Sequence, residues 1–116
     1  MPTTVSISIY ELTGTAICVA SEDGEKVHNQ IAAALNEGHN VNVSFKNVTS
    51  LTSAFLNSAI GQLYGNFDEA FIKSHLSVSD IESDDLLLLK RVVDTAKEYF
   101  KNAEKIDKLF PDDSET

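Results

Sequence analysis

Residues 38–65 read GHNVNVSFKNVTSLTSAFLNSAIGQLYG, and the order of signals along them decides the fold class. Gly38 suits the left-handed residue that ends a helix. Val41, Val43 and Phe45 then alternate with Asn42 and Ser44, the period of a half-buried strand. Asn47 fits the turn behind it. Hydroxyls crowd Thr49 to Ser53, after which Leu56, Ile60, Leu63 and Tyr64 fall on one helical stripe, widened by Phe55 and Ala59. Thr52 or Ser53 caps this helix and Gly65 stops it.

The same grammar runs outward in both directions. Upstream, Val5, Ile7 and Ile9 alternate with Ser6 and Ser8, which predicts a strand from Thr4 to Tyr10, broken by Leu12-Thr13-Gly14. Ala16 to Val19 is a short apolar run, either a second strand or an irregular connection. Ser21 reads as an N-cap, with Glu22, Asp23 and Glu25 where the helix dipole favours negative charge. Val27, Ile31, Ala34 and Leu35 form the buried face of that helix. Downstream, a short helical turn is expected over Asp68 to Lys73 and a brief strand over His75 to Val78. Ser83 caps a last helix with Asp84 and Asp85 in its first turn. Its stripe is Leu86, Leu89, Val93, Ala96 and Phe100, broadened by Leu88, Val92 and Tyr99, and it runs to about Asn102, with Ala103 to Phe110 continuing or fraying.

Alternating strands and helices predict an α/β fold: a small mixed sheet with helices packed on it, right-handed crossovers and a long C-terminal helix. One domain is expected over residues 1–110, because 116 residues split in two would leave neither half a good core. Pro111 halts the helix, and the acids after it have nothing apolar to bury, so residues 111–116 are expected to be a disordered acidic tail.

Charge narrows the partners. Nine basic residues stand against 18 acidic ones, a formal net charge of −9. Nucleic acid and anionic membrane surfaces both call for basic stripes, so neither is an expected partner. The acidity serves solubility, or offers an acidic face to a basic protein. No apolar run reaches the roughly 18 residues of a membrane span. The start, Met1-Pro2-Thr3-Thr4, lacks the basic and apolar regions of a secretory signal. A cytoplasmic location is the resulting expectation.

Catalytic and metal chemistry find little purchase. Cys18 is the one cysteine, which excludes an internal disulfide and any multi-cysteine metal cage. Its neighbours Ile17 and Val19 mark it as a small buried hydrophobe rather than a nucleophile. His28, His39 and His75 have none of the spacings of a helical metal site. Asp80, Glu82, Asp84 and Asp85 lack the glycine and terminal glutamate of a calcium loop. The glycines form no phosphate-binding loop. No enzyme activity, cofactor or metal is expected.

The hydroxyl cluster at Thr49, Ser50, Thr52 and Ser53 remains. As loop and cap chemistry it needs nothing further. As a regulated site it is well suited: a phosphate on Ser53 would add nearly two negative charges that a docked protein would feel while the domain stayed folded.

The blocks Val41 to Val48, Leu51 to Leu56 and Ile60 to Leu63, with Gly24-Glu25-Lys26-Val27 upstream and the Leu86 to Tyr99 helix downstream, resemble the small bacterial STAS-like domain of unknown function. The resemblance spans roughly residues 5 to 102. Its better-known relatives are the anti-sigma-factor antagonists. What this implies is a partner switch in which a serine at the start of one helix is phosphorylated by a histidine-kinase-like ATPase. Laid on that motif, Ser53 takes the place of the phosphorylated serine, and Thr49, Ser50 and Thr52 join it as partner-binding candidates. Thr52 stands where the antagonists carry aspartate, and Ala54 and Phe55 where they carry serine and glycine. The expected function is a non-enzymatic regulatory protein-interaction module. The alternative is a domain that senses a nucleotide or another small anion.

Overall fold

The computed structural model describes residues 3–109. Its first strand, β1 (Thr4–Ser8), is followed without a loop by helix α1 (Ile9–Thr13). The expected strand to Tyr10 therefore ends early. The Ser8 side chain accepts a hydrogen bond from the Glu11 N–H at 3.1 Å and starts a helix, and Gly14, at φ 74°, closes it. Ile9 continues the apolar alternation only because this helix also buries it.

The remaining order is β2 (Ile17–Cys18), α2 (Ser21–Asn36), β3 (Asn40–Ser44), β4 (Ser50–Leu51), α3 (Ser53–Ala59), a 3₁₀ turn over Gly61–Gly65, α4 (Glu69–His75), β5 (Leu76–Ser79) and α5 (Ser83–Leu109). This is the expected α/β architecture with a long final helix. Residues 111–116 lie outside the described residues.

Two small sheets carry the strands, one in the order β1-β3-β5 and one pairing β2 with β4. A mixed sheet was the expectation; each pairing among the described residues is parallel. In-register pairing sorts the larger sheet into two faces. Val5, Ile7, Val41, Val43, Leu76 and Val78 share one face, and α2 and α4 pack against the strands that carry them. Ser6, Ser8, Asn42, Ser44, Ser77 and Ser79 share the other. There Asn42 donates to the Ser79 hydroxyl and accepts from Ser77, each at 3.0 Å, so side chains tie the strands together on the polar side.

Local chemistry moves several boundaries. Ser21 is the first helical residue of α2, with Ala20 in the cap position and no side-chain cap. The stripe from Leu56 to Leu63 is buried as expected, but the helix is interrupted at Ile60 (φ −122°, ψ −44°) and resumes as the 3₁₀ turn. Gly61 there makes room for the Asn57 side chain, whose Oδ1 would lie 2.5 Å from a Cβ, while the Ala96 methyl of α5 would sit in ordinary contact at 3.5 Å. On α5 the buried stripe is Leu89, Val92 and Ala96, a narrower one than the sequence implies. This helix packs chiefly on α3 and the 3₁₀ turn, so Leu86 and Tyr99 lie outside the contact and are exposed.

Helix α2 crosses α3 at close range. Gly24 permits it: a Cβ at this position would lie 2.6 Å from the Phe55 carbonyl oxygen and 2.8 Å from Ser58 Cβ. Phe55, Leu56 and Ala59 are fully buried beneath α2, together with Val27 and Ile31. This packing fixes where α3 begins, and with it the hydroxyl cluster.

Candidate functional site

The cluster is held by the short β2–β4 ladder, in which Ile17 pairs with Ser50 and Cys18 with Leu51. Thr49 is bound to it twice, its N–H at 2.8 Å and its hydroxyl at 3.2 Å from the Ala16 carbonyl oxygen. Thr52 caps α3, accepting from the Phe55 N–H at 3.2 Å, and its hydroxyl donates to the Val19 carbonyl oxygen at 3.0 Å. Both threonine hydroxyls are thus committed to the fold. Ser50 is half-buried on β4. Ser53, the first residue of α3, is exposed, and its hydroxyl makes no hydrogen bond among the described residues. The four candidates sit on one continuous strip, with different degrees of freedom.

Two neighbours of this strip escape a sequence reading. Cys18 points inward and is fully buried, so Ile17 and Val19 on either side point outward, 53% and 43% exposed. The clue was present, because a strand that buries a cysteine must present the flanking residues to the other side. Register places Ile17 beside Ser50, and the Thr52 bond holds Val19 beside Thr52. The strip therefore combines small hydroxyls with two exposed branched apolar side chains.

Beyond Ser53 an open groove of about 660 Å³ runs between α3 and α5. Ser53, Ala54 and Asn57 form one wall, and Leu88, Arg91 and Thr95 stand on the other. Gln62, Tyr99 and Phe100 complete its lining.

The remaining reactive groups are dispersed. Burial pushes the Cys18 thiol above its ordinary range, opposed by the Thr13 hydroxyl and reinforced by Asp23. Burial lowers the His28 pKa, with Glu25 opposing, and His28 Nδ1 is buried with no hydrogen-bond partner among the described residues. His39 lies 3.4 Å from Glu37, whereas His75 stacks on Phe71 at 4.1 Å. No cluster of three metal-ligating side chains occurs among the described residues. Asp80, in the left-handed region at φ 58°, accepts from Ser44 at 3.0 Å and belongs to the polar sheet face. Among the described residues no helix is long and apolar enough to cross a membrane.

Residues 23–86 match the family model described as STAS-like domain of unknown function (DUF4325). The chain belongs to that family. The match covers more than half of the sequence and runs from the first turn of α2 into the first turn of α5, so the STAS-like segment carries the whole Thr49–Ser53 strip. β1, α1, β2 and the part of α5 that lines the groove lie outside the matched residues. No curated protein and no solved structure matches the chain. A STAS-like domain points to a regulatory module.

Proposed function

We propose that this STAS-like domain is a non-enzymatic regulatory module that docks a protein partner on the Thr49–Ser53 strip and is switched by phosphorylation of Ser53. One arrangement supports the reading: an exposed serine with an uncommitted hydroxyl, at the leading turn of α3, on a strip flanked by exposed Ile17 and Val19. Apolar anchors beside an exposed modifiable hydroxyl give affinity and control in one patch. The partner is a histidine-kinase-like ATPase or the protein it controls. In the transfer Ser53 Oγ bonds to the γ-phosphorus of ATP held by that partner. The bond to the β-phosphate oxygen breaks, ADP leaves, and the hydroxyl proton passes to a base on the partner.

The fold tolerates the modification because Thr52, not Ser53, caps α3. Nearly two added negative charges then act outward, against a partner that must desolvate the strip.

The test is photo-crosslinking inside the cell of origin, with p-benzoylphenylalanine at Ile17 and, as a control, at Ser77 on the polar sheet face. The reading expects one protein to be captured from position 17, not from 77, and to be lost when Ser53→Asp is added. Equal capture from both positions, or capture indifferent to Ser53→Asp, contradicts it.

The alternative, sensing of a small anion, draws its support from the groove rather than from the leading turn of α3, where Thr52 already takes the Phe55 N–H.

A further inference from the structure

The groove between α3 and α5 differs in charge from the rest of the molecule. The chain carries 18 acidic residues, and acidic side chains line the hollows beside Tyr64, His28 and Ile72. Among the described residues no carboxylate lines the α3/α5 groove, and Arg91 does. Arg91 has no carboxylate within ion-pair distance among the described residues, where the ion pairs are Lys26–Asp23, His39–Glu37 and Lys97–Glu69. Asp94, one turn further along α5, faces a different hollow with Lys97.

The surfaces around Arg91 are of two kinds. Val92 and Ala96 supply an apolar floor, and Leu88 adds apolar surface to the α5 wall. Ser53, Asn57 and Thr95 place neutral hydrogen-bonding groups along the walls. Tyr99 and Phe100 meet edge to face, with centroids 5.0 Å apart and planes at 83°. Tyr99 is 65% exposed, so the corner offers a ring face that the fold itself leaves unused. Phe100 is held there by Gly65, since a Cβ on that glycine would lie 2.6 Å from the ring.

We propose that this groove binds a small aromatic monoanion, its ring against Tyr99 and Phe100 and its anionic group at Arg91. Charge complementarity carries the proposal. A molecule of net charge −9 repels anions in general, so an arginine in an apolar groove that no carboxylate lines among the described residues is selective for an anion that also has a ring to bury. Its volume, about 660 Å³, lies within the range of small-molecule sites. The inference does not depend on Ser53 being phosphorylated. It does place a ligand against Ser53, so occupancy and modification of that serine would compete.

The full chain titrated with 8-anilinonaphthalene-1-sulfonate tests it. The expected result is saturable binding of one probe per chain, weakened at least fivefold in Arg91→Gln and unchanged in Lys90→Gln, the adjacent cation that does not line the groove. 1-Naphthoate should displace the probe, whereas the neutral isostere 1-naphthalenemethanol and the ringless anion acetate should not at the same concentration. Circular dichroism of each variant separates loss of the site from loss of the fold. Absent or non-saturable binding, equal affinity in Arg91→Gln and Lys90→Gln, or equal displacement by the neutral isostere overturns the proposal.

Discussion

Replacing Gly24 by alanine tests the crossing that positions the whole site. In an exposed helix this change is favourable by about 1 kcal/mol, because alanine restricts the unfolded backbone and glycine does not. Here the new methyl would meet the Phe55 carbonyl oxygen at 2.6 Å and Ser58 Cβ at 2.8 Å. Neither is the free end of a flexible side chain. Relief to ordinary contact near 3.4 Å requires α3 to retreat by about 0.8 Å as a unit. Overpacking a well-filled interface costs roughly 1–3 kcal/mol, and a backbone clash belongs near the top of that range. The propensity gain offsets about a third of the cost, which leaves a net destabilisation of about 2 kcal/mol. For a domain of this size that lowers Tm by about 8 °C. Urea and thermal unfolding followed by circular dichroism measure it, with Gln30→Ala on the exposed side of α2 as the control. A Gly24→Ala variant more stable than the native chain would refute the close α2–α3 approach, and with it the argued position of Ser53.

Other outcomes follow from single groups. Thr52→Ala removes the α3 cap and should cost about 1 kcal/mol in urea unfolding, whereas Ser53→Ala should cost almost nothing; equal losses would mean that the cap is misassigned. Burial lowers the His28 pKa in the folded chain. The unfolded chain binds that proton near pH 6.5, so the unfolded state gains protons first and stability falls as pH drops below about 6.5. His28→Gln should flatten that part of the stability–pH curve, and an unchanged slope would count against burial as the cause. The Cys18 thiol is buried with a raised pKa, so Ellman's reagent should label it only as fast as the domain unfolds. Stoichiometric labelling of the folded chain at the rate of a free thiol would contradict its placement.

Much of this was legible in the sequence because the strongest signals are local. The Val41–Phe45 alternation, the Leu56–Leu63 stripe and the acids at the start of α5 each specify an element without reference to the others. Ser53 at a helix start follows from the Ser/Thr run alone. What periodicity cannot carry is competition between neighbours. Ile9 satisfies a strand pattern and a helix pattern at once, and the Ser8 cap decides between them. Leu86 and Tyr99 complete a helical stripe on paper, yet α5 has a partner along only part of its circumference, so both are exposed. Arg91 gives no signal in a sequence full of acids. Its meaning lies in a groove that no carboxylate lines among the described residues, which only the packing of α3 on α5 reveals.

The central claim is that Ser53 is the controlled hydroxyl of the strip. Quantitative phosphopeptide mapping of the chain recovered from its own cells, across growth and starvation, tests it most directly. The account predicts phosphate on Ser53 in at least one condition and none on Thr49 or Thr52, whose hydroxyls are bound to the Ala16 and Val19 carbonyl oxygens. Phosphate on Thr52, or a Ser53 that stays unmodified in every condition, would contradict it.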